Sequence, residues 1–67
     1  MNLNELEKIN EEKSILFENC KDGVLRAMRA YQRGIVTISE LRKAIEAIEV
    51  EQLEGLKRLN EKIDKLL

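Results

Sequence analysis

The sequence predicts an all-α fold, a two-helix antiparallel hairpin that forms a single domain over residues 1–67. Charged residues make up 37% and apolar residues 43% of a chain without proline, a profile typical of long helices. Apolar residues also recur at three- and four-residue steps over two long segments. Between these segments lie a glycine and a Thr-x-x-Glu box, which mark the end of one helix and the start of the next.

The first helix is predicted over about residues 3–33. Asn2 and Glu5 have the spacing of an N-cap and its third helical residue, and Met1 and Leu6 are placed for a hydrophobic staple. One face then carries a stripe at helical spacing: Leu6, Ile9, Lys13, Leu16, Cys20, Val24, Ala27 or Met28, and Tyr31.

Asp22-Gly23 is the weak point of this helix, because such a pair often marks a turn. The apolar pattern resumes directly at Val24 and Leu25, without the polar residues that a loop would need. We therefore expect one continuous helix, and a break at this dipeptide is the alternative.

Gly34 is predicted to end the first helix in the left-handed conformation, with Ile35 packing back on the last turn. Thr37 and Glu40 form a second capping box, and Val36 and Leu41 supply its staple. The second helix, over about residues 38–66, carries a stripe whose heptad rhythm slips once near Gln52: Ile38, Leu41, Ile45, Ile48, Gln52, Leu56, Leu59, Ile63 and Leu66.

A two-helix hairpin has no interior, so we expect a second chain to cover its apolar surface. Further apolar residues widen that surface: Ile15, Phe17, Leu25, Val50 and Leu53. We expect a homodimer that packs as a four-helix bundle, and an obligate heteromer or a piece of a larger assembly are the alternatives. The predicted association core is Leu6, Ile9, Leu16, Cys20, Val24, Met28, Tyr31, Leu41, Ile45, Ile48, Leu56, Leu59, Ile63 and Leu66.

Two polar residues, Lys13 and Gln52, occupy positions of the apolar stripes. Buried polar residues at such positions fix register or partner choice. Alternatively, Lys13 extends its ammonium group to the rim and Gln52 is half exposed.

Basic residues gather near the predicted turn. Residues 23–45 hold five basic residues and one acidic residue, a local charge of +4, whereas four glutamates follow within residues 46–54. The five are candidate contacts for a protein partner or for phosphates: Arg26, Arg29, Arg33, Arg42 and Lys43. The alternative is that they complement the helix dipole and pair with Glu46 or Glu49.

No catalytic, metal or cofactor motif is present. The chain has no histidine, and its one cysteine, Cys20, lies on an apolar stripe where it behaves as a small hydrophobe. We therefore expect no enzyme activity, no cofactor and no metal. A net charge of −1 and the lack of a signal segment or a long apolar run lead us to expect a cytoplasmic protein without membrane contact.

The segment Leu25-x2-Met28-x2-Tyr31-x2-Gly34-Ile35-Val36-Thr37-x-Ser39-Glu40-Leu41-x3-Ile45 resembles the SHOCT-type short helical hairpin. That resemblance, confined to residues 25–45, implies an oligomerisation or docking module. The chain departs from the family pattern at Leu41, where an aromatic residue is usual, and in the length of both helices.

These observations predict a non-enzymatic protein–protein interaction module, a small homodimeric regulator or inhibitor. The alternative is a small nucleic-acid-binding regulator that uses the basic residues near the turn. Salt distinguishes the two, because phosphate binding weakens by roughly one log unit of affinity per log unit of salt for each contact.

Overall fold

A computed structural model describes residues 3–66 of the chain. Helix α1 spans Leu3–Gln32 and helix α2 spans Ile38–Leu66, and no strand occurs within the described residues. The predicted hairpin is confirmed, with helix bounds within one residue of those expected. The Cα atoms fill a thin slab of 51 × 15 × 7 Å, so the helices lie side by side and leave two broad faces.

Helix α1 is continuous through Asp22-Gly23, as predicted. A Cβ atom on Gly23 would lie 3.1 Å from Cδ1 of Ile48, so the glycine permits close approach of α2 rather than a turn. The predicted cap at Asn2 and its staple partner Met1 lie outside the described residues.

The turn after α1 is a Schellman motif. Ile35 N–H donates to the carbonyl of Ala30 and Gly34 N–H to that of Tyr31, both at 3.0 Å, and Gly34 has φ of 75°. The predicted left-handed glycine is thus confirmed. The Ile35 side chain, expected to pack on the last turn, is instead 69% exposed, because only the backbone folds back here.

The predicted capping box at the start of α2 is confirmed. Thr37 N–H donates to Oε1 of Glu40, and Glu40 N–H donates to Oγ1 of Thr37, both at 3.1 Å. Leu41, the fourth helical residue, is buried, and Val36 is half-buried, which agrees with the expected staple.

The two helices meet along a line of residues that we call the seam. Its buried apolar members are few: Ile9, Leu41 and Leu59, each with 6–8% exposure. The seam residues of α1 are Leu6, Ile9, Lys13, Leu16, Cys20, Gly23, Ala27 and Ala30, and those of α2 are Leu41, Ala44, Ile45, Ile48, Gln52, Gly55, Leu56, Leu59, Ile63 and Leu66.

Four residues predicted on the stripes lie outside the seam: Val24 is half-buried at its edge, and the other three are exposed. Met28, Tyr31 and Ile38 are 45%, 43% and 49% exposed. On α1 the reason is the repeat: the 3-4 spacing continues from Cys20 through Gly23, Ala27 and Ala30, which keeps small side chains against α2. Met28 and Tyr31 each follow a seam residue by one position and therefore turn to its flank.

Candidate protein-binding face

The two broad faces of the hairpin differ in chemistry. Successive side chains rotate about 100° around a helix, so residues just off the seam turn to one broad face or the other. Nζ of Lys62 lies 3.2 Å from Oε2 of Glu12, which shows that these two positions flank the seam on the same face.

We call that side the polar face after the charged and amide side chains that border it, although Ile9, Leu16 and Ile48 of the seam line the floor of its depressions. Two shallow depressions run along it, one bordered by Glu12 and Lys62 and the other by Arg26 and Glu51. The residues of the polar face are Glu5, Lys8, Glu12, Asn19, Arg26, Glu51, Lys62 and Lys65.

The opposite side, which we call the apolar face, is formed by residues at the other edge of the seam and beside it: Leu3, Phe17, Val24, Met28, Tyr31, Ile38, Ile45, Leu53 and Leu56. Phe17 is 45% exposed and Leu53 is 67% exposed. Val24, Ile45 and Leu56 are half-buried at the edge of the seam. Exposed apolar side chains gathered on one side of a small protein mark an association surface.

This face is concentrated in one half of the hairpin. We call residues 17–55 the turn half, and residues 3–16 with 56–66 the distal half. All the members of the apolar face lie in the turn half except Leu56, which adjoins the boundary, and Leu3, which lies near the start of α1. On the same face, the distal half exposes Asn10 and Asn60.

The seam of the turn half explains this concentration. Its α1 side consists of Cys20, Gly23, Ala27 and Ala30, which are too small to bury much area against α2. The large apolar side chains of this segment are placed beside the seam, where one hairpin does not cover them. In the distal half, by contrast, leucines and isoleucines fill the seam itself.

The structure divides the residues predicted to widen the apolar surface. All are exposed, but only Phe17 and Leu53 join the apolar face. Ile15 turns toward the polar side, and Leu25 and Val50 point away from the seam on the outer edges of their helices.

Lys13, Gln52 and Cys20 are half-buried at the seam. Gly23 faces Ile48 and Gly55 faces Leu16, and these two contacts fix the register of the antiparallel helices. In this register Gln52 is level with Cys20 along the hairpin axis, and Lys13 is level with Leu59. The two polar residues therefore do not face each other, as predicted.

The five predicted basic contacts are exposed but do not form one patch. Arg26 borders the polar face, Arg29 and Lys43 point outward from opposite helices, and Arg42 turns to the apolar face. Arg33 lies just past the end of α1. Within residues 3–66 none of them forms an ion pair with Glu46 or Glu49, so the predicted pairing gains no support. Arg29 does lie in the last turn of α1, where its charge complements the helix dipole.

The structure contains no group of three or more His, Cys, Asp or Glu residues placed to hold a metal ion in its described part. Neither α1 nor α2 has an apolar stretch long enough to cross a membrane. The chain matches no protein-family model, no curated protein and no solved structure.

Proposed function

We propose that the protein is a non-enzymatic protein–protein interaction module, a small homodimeric helical regulator or inhibitor that acts by docking. The observation that carries this proposal is the separation of the apolar face from the polar face. One side of the slab gathers exposed Phe17, Met28, Tyr31 and Leu53, whereas on the other side charged side chains border depressions with a partly apolar floor.

The seam alone gives the hairpin little buried area. None of its described side chains is less than 2% exposed, and a chain of this size has a marginal core. Covering the apolar face adds hydrophobic burial at roughly 25 cal/mol per Å². Association therefore supports both the binding role and the stability of the fold.

The polar face then remains available for a further partner. In the dimer, each subunit presents its polar face outward, including Arg26 and Glu51. A regulator of this kind recognises its target through the charged side chains that the dimer leaves free.

The nucleic-acid alternative has less support. Its five basic residues point in several directions around the turn half, whereas phosphate binding needs cations on one surface. The SHOCT-type resemblance, which implies docking or oligomerisation, fits the leading proposal and remains itself a proposal.

A matched pair of variants tests the proposal. Phe17→Ser removes a large side chain from the apolar face, and Ile15→Ser removes a more exposed one, at 59%, from the other side of the same helix. We expect Phe17→Ser to raise the dissociation constant of the assembly by about 100-fold, because aromatic anchors dominate binding energy. Ile15→Ser should leave the dissociation constant within about two-fold of the wild-type value.

Light scattering over a concentration series, with helicity measured on the same samples, gives the result. A wild-type chain that is monomeric, fully helical and equally stable at all concentrations would contradict the proposal, because its apolar face would then need no cover. Equal effects of the two variants would also contradict it.

A further inference from the structure

We infer that the tip of the hairpin, residues 33–37, docks end-on on an anionic lipid surface, with both helices pointing away from that surface. This inference goes beyond the proposed function, because the tip lies outside the apolar face that the dimer covers. Two features carry it: an apolar apex that the rest of residues 3–66 leaves uncovered, and cations on several sides of that apex.

The apex of the tip is Ile35, whose side chain is 69% exposed. In a Schellman motif the residue at this position often packs on the last turn, against the residue whose carbonyl accepts its N–H. That residue here is Ala30, whose methyl group offers little surface for packing. An isoleucine therefore lies at the extreme end of the hairpin, where it contributes nothing to the seam.

Cations of the turn half surround this apex. Arg33 lies in the tip itself, and Arg42 and Lys43 follow in the first turns of α2, where both are exposed. Side chains lean toward the N-terminus of their helix, and α2 begins at the turn, so Arg42 and Lys43 lean toward the apex. Their Cα atoms lie roughly 6–8 Å along α2 from Ile38, which is within the reach of an extended basic side chain.

The acidic groups near the tip do not cancel this charge. Residues 29–43 contain four cations and one carboxylate, that of Glu40, which gives a local charge of +3. Oε1 of Glu40 also accepts the N–H of Thr37 in the capping box. The next carboxylate along α2, that of Glu46, lies roughly 12 Å from the start of the helix. An anionic surface that meets the end of the hairpin is therefore attracted to it.

The arrangement favours a flat surface over a ligand that lies along one side. Cations that point in several directions around the hairpin do not share one lateral surface, but they can all approach a plane that meets its end. An anionic leaflet offers such a plane at any rotation of the hairpin, and it attracts each Lys or Arg near it.

The apolar apex distinguishes a lipid surface from other polyanions. The boundary between headgroups and acyl chains receives an apolar side chain that is flanked by cations. The phosphate backbone of a nucleic acid offers Ile35 no comparable contact. An acidic protein would have to present an apolar pocket with carboxylates on all sides of it.

The sequence-based expectation of no membrane contact used properties of the whole chain. The net charge of −1 averages the tip with glutamates that lie farther along both helices. A peripheral contact also needs no apolar run long enough to cross a bilayer. Neither property therefore describes the local chemistry of the tip.

Binding to vesicles of phosphatidylcholine, with and without phosphatidylserine, tests the inference on the full chain. The wild-type chain should sediment with the anionic vesicles at low salt and stay free of the neutral ones. A matched pair of double variants locates the contact. Arg42→Gln with Lys43→Gln, and Lys57→Gln with Arg58→Gln, each remove two adjacent exposed cations from α2.

The tip variant should weaken partitioning roughly 25-fold, because each cation near an anionic leaflet contributes about five-fold. The distal variant should stay within about two-fold of the wild-type value, because Lys57 and Arg58 lie far from the surface. Equal losses for the two variants would overturn the end-on contact. Circular dichroism on the same samples checks that both variants remain helical.

A fluorescent reporter tests the insertion of the apex. The chain has no tryptophan, so Ile35→Trp introduces a single one. Its emission should shift to shorter wavelength when anionic vesicles are added, because the indole enters an apolar environment. Ile15→Trp, at a position that is 59% exposed near the middle of α1, should show no shift. An unshifted Ile35→Trp emission would overturn the insertion.

Wild-type chain that ignores anionic vesicles at low salt would overturn the inference outright. Its retention by immobilised polyglutamate or duplex DNA, but not by vesicles, would replace the lipid with an acidic protein or a nucleic acid. These outcomes leave the light-scattering test of the dimer unaffected, so failure of this inference is distinguishable from failure of the proposed function.

Discussion

The two halves of the hairpin differ in where they place their large apolar side chains. In the distal half, large side chains such as Ile9 and Leu59 fill the seam and are buried within one chain. In the turn half, Gly23, Ala27 and Ala30 line the seam, and Met28 and Tyr31 remain exposed beside it. The distal half therefore stabilises the single hairpin, while the turn half supplies the surface for association.

The largest expected effect comes from the distal seam. Leu59→Ala should lower the free energy of unfolding by about 2–5 kcal/mol, because Leu59 is 7% exposed and its removal leaves a cavity. This loss is measured by urea unfolding, with helicity monitored by circular dichroism. Leu53→Ala is the matched control, because the same substitution on the same helix removes a side chain that is 67% exposed.

In the monomeric state, Leu53→Ala should cost less than about 0.5 kcal/mol. At concentrations where the chain associates, Leu53→Ala should instead weaken the assembly. Equal losses for both variants in the monomer would contradict the division of roles between the two halves.

An intermediate effect is expected where the halves meet. A Cβ atom on Gly55 would lie 2.8 Å from Cδ2 of Leu16, so Gly55→Leu overfills the seam. Overpacking costs about 1–3 kcal/mol, and the gain in helix propensity offsets up to about 1 kcal/mol of it. We expect a net loss of up to about 2 kcal/mol in the free energy of unfolding, from overpacking less the propensity gain.

The measurement is the thermal unfolding midpoint of Gly55→Leu, compared with that of Glu54→Leu at the exposed neighbouring position. Glu54→Leu changes the helix surface without touching the seam, and it should shift the midpoint little. A stabilised Gly55→Leu hairpin would show that the helices are not held in close contact at this level.

The smallest effect is expected on the polar face of the distal half. Glu12→Gln removes the 3.2 Å ion pair with Lys62. The side chain of Glu12 is 48% exposed and that of Lys62 is 57% exposed. Solvent screens such a pair, so the free energy of unfolding should fall by at most a few tenths of a kcal/mol. The difference from wild type should vanish at about 1 M salt, where the Debye length is about 3 Å. A loss that persists there would show that Glu12 acts through packing.

Much of the fold could be predicted from local sequence signals. The helix bounds, the left-handed Gly34 and the reciprocal bonds of Thr37 and Glu40 all follow from chemistry within a few residues. Such signals need no knowledge of the partner helix, so they identify the turn reliably.

The composition of the seam was harder to predict. Hydrophobic periodicity left Ala27 or Met28 as alternatives and predicted Tyr31 on the stripe, whereas the structure has Ala27 and Ala30 in the seam. A signal was present, because the strict 3-4 spacing from Leu6 to Cys20 extends directly to the small residues. Gly55 was missed for the same reason: hydrophobic periodicity gives no weight to a residue without a side chain.

The candidate face was only partly predictable. Phe17 and Leu53 were identified as widening the apolar surface, but the sequence did not separate them from Ile15 and Val50. That separation depends on how the flanks of two antiparallel helices combine, which requires the register that Gly23 and Ile48 establish. The dispersal of the basic residues depends on the same geometry.

The hydrogen bonds of the turn also have a consequence for the order of folding. Contacts next to Gly34 close the shortest loops, so their entropic cost is the lowest along the chain. The capping box and the Schellman motif therefore favour a nucleus at the turn, from which the helices pair outward. The turn half, with its exposed apolar side chains, is then formed before Ile9 and Leu59 meet. A nascent chain would accordingly present its association surface early, and two chains can recognise each other before either has finished folding.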